Sequence, residues 1–129
     1  MRISLRSEYA LLTLIHVARQ PDKISTSESV WNSHQIPQEA LNEILIVLIH
    51  ARYLRLAKGN CRLAKPAEKI SVAEVIRLFD GALAPLEPVS EKGYESAPME
   101  HEPKLTSLFI GLQEQIIEKL EKTTVADLF

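Results

Sequence analysis

The sequence predicts a mainly α-helical fold that carries one small β-hairpin and ends in a long helix. Apolar residues recur at helical spacings of three and four before the hairpin and again over residues 104–122. Between these helical segments, residues 53–58 and 60–65 have strand character and are joined at Gly59 and Asn60. A helix, two short helices and a hairpin, in that order, form a winged helix-turn-helix.

Composition indicates one globular unit. The chain has 129 residues, of which 46% are apolar, enough for one core but few for two. A single cysteine, Cys61, excludes an intrachain disulfide and a thiolate cage for zinc. The N-terminus lacks the apolar segment of a signal peptide, and no apolar run approaches the roughly 20 residues that cross a bilayer. We therefore expect a cytoplasmic protein with no membrane partner.

Charge is distributed unevenly along the chain. Residues 1–80 carry 11 basic and 8 acidic side chains, whereas residues 81–129 carry 4 basic and 9 acidic ones. The first part therefore has a net charge of +3 and the second a net charge of −5, although the whole chain is only −2. This asymmetry favours a first part that faces nucleic acid and a second part that faces something else.

Start and stop signals mark the first three helices. Pro21 ends the helix predicted over residues 7–20, and Ser25 with Glu28 has capping-box spacing ahead of the second helix. Pro37 is expected as the first residue of a third helix over residues 37–51.

The same signals mark a fourth helix. Ser71 and Glu74 repeat the capping-box spacing, and Asp80 with Gly81 ends the helix. Residues 81–103 then contain four prolines and five glutamates, a composition typical of an irregular, flexible segment.

The last helix, over residues 104–122, has a long apolar stripe. A stripe of this length after a flexible segment suggests pairing with a second copy, hence a homodimer. Its predicted dimerisation residues are Leu105, Leu108, Phe109, Leu112, Ile116 and Leu120. The predicted organisation is a winged helix-turn-helix DNA-binding domain (1–80), a flexible effector-region loop (81–103), and a dimerisation helix and tail (104–129).

Residues 52–65 contain five basic side chains and no acidic one. Such a window could neutralise phosphates along one groove wall of double-stranded DNA, although a charge run is usually a solvated strand face. Thr26 and Ser27 could add hydroxyl contacts to DNA or serve only as a helix cap. The predicted phosphate contacts are Arg2, Arg6, Arg52, Arg55, Lys58 and Arg62.

The start of the third helix carries the candidate base-reading residues. In a helix-turn-helix the N-terminal end of the second helix meets base edges, which here selects Gln38, Glu39, Asn42 and Glu43. Gln and Asn can pair with adenine, and Glu can accept a hydrogen bond from cytosine. Because this helix has no Arg or Lys before Arg52, we expect A·T-rich contacted positions. The alternative is an ordinary solvated helix face.

Three further motifs carry a resemblance to a known family. They are the opening Met-Arg-Ile-Ser of residues 1–4, the wing-to-helix junction of residues 63–76, and the ending Thr-Thr-Val-Ala-Asp-Leu of residues 123–128. In all three the chain resembles the IscR/NsrR/CymR family of bacterial winged-helix transcription regulators. The resemblance implies a dimer whose long C-terminal helices cross and whose two modules bind a two-fold related operator. Repression is the expected mode, and activation is the open alternative.

The chain also departs from the pattern of that family. Many members hold an iron–sulfur cluster on three cysteines, whereas the corresponding positions here are approximately Pro88, Tyr94 and Glu100. We therefore predict a member without a cluster or another cofactor. Gln35 stands where the turn between the two short helices usually has glycine, and the wing has a short tip.

Two functional hypotheses remain open. The first is a DNA-binding regulator that responds to a small molecule or a protein effector. The second is a protein-interaction module of the same fold with weak or lost DNA binding, suggested by Glu39, Glu43 and the surplus apolar residues Ile46, Val47 and Ile49. No phosphate loop, nucleophile elbow or paired metal-binding histidines indicate an enzyme. Cys61 is either a redox sensor or a small packed hydrophobic residue.

Overall fold

A computed structural model describes residues 3–19, 27–83 and 101–129. It confirms the predicted fold class, because the described part is helical apart from a single antiparallel hairpin. The elements are α1 (Leu5–Arg19), α2 (Ser27–His34), α3 (Gln38–His50), β1 (Leu54–Ala57), β2 (Asn60–Leu63), α4 (Val72–Asp80) and α5 (Pro103–Lys122). Short 3₁₀ turns at Ala67–Lys69 and Val125–Leu128 complete them.

Helix α1 begins two residues before its predicted start because Ser4 caps it. The Ser7 backbone N–H donates to Ser4 Oγ at 3.2 Å, which satisfies one of the unpaired donors of the first turn. Asp80, the last residue of α4, accepts from the Ser4 N–H at 3.2 Å and from Ser7 Oγ at 2.9 Å. Burial alone would raise the pKa of Asp80, but the hydrogen bonds from Ser4 and Ser7, with Arg6 nearby, hold that pKa below its usual value.

Only one half of the predicted capping box forms at α4. The Glu74 N–H donates to Ser71 Oγ at 3.1 Å, as the spacing predicts. The Glu74 carboxylate does not reach back to the cap and instead accepts from Tyr53 Oη at 3.2 Å and from Lys65 Nζ at 3.4 Å. Glu74 therefore connects α4 to the residues that precede β1 and follow β2, at the open end of the hairpin. Gly81 ends α4 with φ +82°, as the sequence predicts.

The core joins the helix-turn-helix to the C-terminal tail. Val125 is fully buried, and its N–H donates to the Ile70 carbonyl at 2.9 Å. The Val72 N–H donates to the Thr123 carbonyl at the same distance. The tail after α5 thus packs into the same core as the first four helices and the turn between α2 and α3. The fully buried side chains of this core include Leu14, Val30, Ile36, Leu41, Ile44, Leu48 and Val75.

The hairpin turn lies one residue earlier than predicted. Ala57 pairs with Asn60, so the two turn residues are Lys58 and Gly59, with φ values of +53° and +79°. Positive φ at both positions is the requirement of a type I′ turn, the two-residue turn whose twist matches the twist of the strands. Asn60 consequently belongs to β2, and both strands are shorter than predicted.

Helix α3 also begins one residue later than predicted. Pro37 is its N-cap, with ψ of 134°, and the Leu41 N–H donates to the Pro37 carbonyl at 2.9 Å. Pro37 therefore fixes the extended entry to α3, and Gln38 is the first helical residue.

Candidate nucleic-acid interface

Helix α3 has one buried face and one exposed face. Leu41, Ile44, Leu45 and Leu48 are buried, which holds the helix against α1 and the rest of the core. The four predicted base-reading side chains, those of Gln38, Glu39, Asn42 and Glu43, are all exposed. The helix therefore presents them to solvent on a rigid support.

The exposed face of α3 continues beyond the four predicted base-reading residues. Ile46 follows Asn42 by one turn and is 61% exposed. It lines an open concavity of about 470 Å³ together with Ile49, His50 and Arg52. Hydropathy alone does not single out Ile46, because it belongs to the apolar run of residues 44–49, in which Ile44, Leu45 and Leu48 are buried. Its place in the period of α3 was the available signal.

Arg52 occupies a strained position at the end of α3. Its N–H donates to the Ile49 carbonyl and the Tyr53 N–H donates to the Leu48 carbonyl, both at 3.0 Å. These two bonds form a Schellman motif, in which the residue after the helix takes a left-handed conformation that favours glycine. Arg52 has φ +65°, so its side chain is kept at a cost in backbone energy.

The hairpin places two arginines opposite each other. Arg55 pairs with Arg62 across the strands, and both side chains are exposed. Like charges at directly opposite positions destabilise a hairpin. Lys58, at the tip, adds a cation at a second left-handed position.

Four cations near the hairpin have no acidic partner among the residues that the structure describes. Lys65, the fifth basic residue of this window, forms an ion pair with Glu74 at 3.4 Å, and its Nζ lies 5.5 Å from the centre of the Tyr53 ring. Arg52, Arg55, Lys58 and Arg62 are exposed, and none forms an ion pair within the part of the chain that the structure describes. We call these four residues the wing cations.

The remaining predicted DNA contacts lie elsewhere or outside the described residues. Arg6 is on α1, with its guanidinium 5.5 Å from the centre of the Phe79 ring of α4. Ser27 is the first residue of α2; its side chain is not among those described. Arg2 and Thr26 lie outside the described residues, as do Ser25 and most of the predicted effector-region loop.

Cys61 belongs to the core. Its side chain is 2% exposed and packs among the buried apolar residues from β2. Burial raises the pKa of the Cys61 thiol, which disfavours the reactive thiolate. These observations support the interpretation of Cys61 as a packed hydrophobic residue.

Helix α5 exposes part of its apolar stripe. Leu105, Leu108 and Leu112 are exposed, whereas the other three predicted dimerisation residues, Phe109, Ile116 and Leu120, are half-buried. An ion pair between Arg77 and Glu121 connects α5 to α4.

No helix in the described residues has the length and apolar character needed to cross a membrane.

Comparison with known proteins agrees with this geometry. The sequence profile of the Rrf2 family, described as an iron-dependent transcriptional regulator, matches residues 3–129. The chain belongs to the Rrf2 family. A Mycobacterium tuberculosis protein named as an HTH-type transcriptional regulator is 30% identical over 98% of this chain and 80% of its own length. The HTH-type regulator CymR of Bacillus subtilis is 25% identical over 99% of this chain and 89% of its own length.

Solved structures of Rrf2-type regulators share the fold. The structure of Bacillus subtilis CymR, described as the global cysteine regulator, superposes with a TM-score of 0.82 at 23% identity, covering 99% of this chain and 95% of CymR. IscR of T. potens gives a TM-score of 0.73 at 20% identity, covering 99% of this chain and 85% of its own. The function indicated by the family and by the names of the relatives is transcription regulation, which is non-enzymatic.

The donor atoms of this chain do not fit an iron cluster held by thiolates. Cys61 is the only cysteine in the sequence, and it is buried in the core. Pro88, Tyr94 and Glu100 have no sulfur and lie outside the described residues. Among residues 3–19, 27–83 and 101–129, no group of three His, Cys, Asp or Glu side chains is placed to hold a metal ion.

Proposed function

We propose that this Rrf2-family protein is a dimeric regulator that binds a two-fold related operator through α3 and the hairpin, and that it does so without an iron–sulfur cluster. One observation carries the proposal. The four wing cations occupy positions that cost the fold stability, two at left-handed backbone positions and two opposite each other. Unfavourable placement of this kind is common at functional sites.

The wing cations suit the contact that positions a protein on DNA. Phosphate contacts need charge and exposure, and they fix the register of the protein without carrying sequence information. Arg52 joins this cationic surface to α3, because it lines the same concavity as Ile46. Base-reading contacts then come from Gln38, Glu39 and Asn42 at the start of α3. Arg6, Arg2, Thr26 and Ser27 are proposed as further contacts to the DNA backbone.

The exposed leucines of α5 favour a second copy as the partner of this helix. Leu105, Leu108 and Leu112 repeat at three- and four-residue intervals along a helix of 20 residues, which is about 30 Å long. A dimer would present two α3 helices to two half-sites about one helical turn apart. A small-molecule or protein effector would act by changing the angle between the two modules, and repression is the expected mode.

Charge reversal tests the proposal. Arg55→Glu with Arg62→Glu should reduce affinity for a duplex at least about tenfold, and should lower the slope of log affinity against log salt by about 2, because two phosphate contacts are lost. Fluorescence anisotropy with a labelled duplex across a salt series measures both. Lys69→Glu with Lys104→Glu is the matched control, since it changes net charge equally at exposed positions outside the hairpin. Equal loss in the control would contradict the proposal.

The alternative function, a protein-interaction module with weak or lost DNA binding, is favoured by the exposed Ile46 beside two glutamates. Under this alternative the wild-type protein would show weak or no binding to DNA, without preference for any duplex. Reversal of the wing cations would then leave capture of the partner unchanged.

A further inference from the structure

Ile46 is a large apolar side chain on a polar face that is proposed to meet DNA. It is 61% exposed, whereas Ile44, Leu45 and Leu48 on the other side of α3 are buried. A single exposed isoleucine is ordinary on a protein surface, so exposure alone assigns it no role. Its position is more informative. Ile46 lies on α3 between Asn42 and Arg52 and forms one wall of the concavity that Arg52 also lines.

The major groove of DNA offers one apolar group for such a side chain to contact. This group is the C5-methyl of thymine, which distinguishes an A·T pair by shape and burial. Asn42, one turn earlier on the same exposed face, has the amide that pairs with adenine. The two residues are about 6 Å apart along the helix axis, close to the length of two base-pair steps at about 3.4 Å each.

We propose that Ile46 determines specificity by packing against the C5-methyl of a thymine that lies within about two base pairs of an adenine bound by Asn42. The proposal rests on the proposed DNA-binding function and deepens it, because it assigns a base and a chemical group to a residue outside the predicted contact set. Burial of the methyl removes apolar surface from water on both partners. A protein partner for Ile46 is the competing assignment.

The test replaces thymine by deoxyuridine, which differs only in lacking the C5-methyl. A duplex is first selected from random sequence by the wild-type protein, and each thymine is then replaced in turn while affinity is measured by anisotropy. One replacement should weaken wild-type binding about fourfold, the value of one buried methyl or methylene group. Ile46→Ala should bind the original duplex about fourfold more weakly and be insensitive to that same replacement.

Leu56→Ala is the matched control. Leu56 is also a large exposed apolar residue, 55% exposed on β1, and its truncation should leave the thymine sensitivity intact. Because Ile46 is exposed, thermal unfolding of Ile46→Ala should match that of the wild type, which separates lost contact from lost folding.

The outcomes separate this inference from the function on which it rests. If the wild-type protein selects no duplex, both the regulator and the role of Ile46 are overturned. If it selects a duplex but every deoxyuridine replacement affects wild type and Ile46→Ala equally, the role of Ile46 is overturned while DNA binding stands. Unchanged affinity of Ile46→Ala for the selected duplex would also overturn the inference and leave Ile46 to a protein partner.

Discussion

Gln35 adopts a left-handed backbone conformation, φ +57°, in the turn between α2 and α3. A side chain at this φ costs about 1–2 kcal/mol, whereas glycine tolerates it at an entropic cost of about 0.5–1 kcal/mol. Its side-chain contact is a long one, 3.5 Å from Nε2 to the Asn32 carbonyl. We therefore expect Gln35→Gly to raise the free energy of unfolding by about 0.5–1 kcal/mol, measured by urea denaturation.

The control for Gln35→Gly is Asn32→Gly, three residues earlier. Asn32 is exposed within α2, where glycine destabilises a helix by up to about 1 kcal/mol. The two substitutions should therefore change stability in opposite directions. A loss of stability in Gln35→Gly would show that the turn depends on the glutamine side chain.

His16 is a buried titratable residue of α1 that contacts α2. Its Nε2 lies 3.3 Å from Ser29 Oγ, and its ring meets the His34 ring edge-on with 5.4 Å between centroids. Burial, then the neighbouring His34 and Arg19, lowers the pKa of His16 from its ordinary value of 6.5. The folded protein thus keeps His16 neutral at a pH where the unfolded chain binds a proton.

This difference predicts a loss of stability in acid. Because the unfolded state binds more protons below about pH 6.5, the unfolding free energy should fall as pH drops through that value towards the lower folded-state pKa. Urea midpoints measured from about pH 7.5 to pH 5.5 should decrease less in His16→Gln than in the wild type. His101→Gln, which removes a histidine at an exposed position, is the control. An unchanged dependence in His16→Gln would refute the assignment to His16.

Among the elements, α5 exposes large apolar residues on opposite sides. Leu112 is 41% exposed and Ile110 is 43% exposed. Residues two positions apart in a helix are separated by about 200° around its axis, so these two side chains lie on nearly opposite sides of α5. Leu112→Glu should place a charge in the proposed dimer seam and give a monomer by analytical ultracentrifugation. Ile110→Glu, with the same charge and similar exposure, should remain dimeric. A dimeric Leu112→Glu variant with a monomeric Ile110→Glu variant would show that the seam lies on the Ile110 side of α5.

Local patterns in the sequence predicted the elements well but missed contacts between distant residues. Capping spacing located the start of α4 and Gly81 located its end. The hairpin turn was placed one residue late, because nothing in the sequence indicates that Lys58 takes a positive φ. Sequence patterns did not predict that Asp80 bonds to Ser4 and Ser7. They also did not predict that the Glu74 carboxylate accepts from Tyr53. Both contacts join residues far apart in sequence.

The candidate site was predictable where it depended on composition. A basic window without acid predicted the wing cations, and helical spacing predicted the exposed residues at the start of α3. Composition could not distinguish Lys65 from the four wing cations. Its ion-pair partner, Glu74, lies on α4, outside the basic window. Nor could hydropathy separate exposed Ile46 from the buried members of the same apolar run.

At the scale of the whole molecule, the C-terminal tail packs into the core of the helix-turn-helix. The hydrogen bonds from Val125 to Ile70 and from Val72 to Thr123 hold the end of α5 against the start of α4. Together with the contacts of Asp80 to Ser4 and Ser7, these bonds form a continuous connection from the end of α5 through α4 to the first turn of α1. This connection supports the proposed effector mechanism, in which α5 changes the orientation of the two modules of a dimer.

The most direct test of the central claim is hydroxyl-radical footprinting of the wild-type protein on a genomic fragment that it selects in vitro. A dimer of this fold should protect two half-sites related by a two-fold axis, with centres about one helical turn or a multiple of it apart. Protection of a single site without symmetry, or selection of no fragment at all, would contradict the account of this protein as a dimeric, sequence-specific regulator.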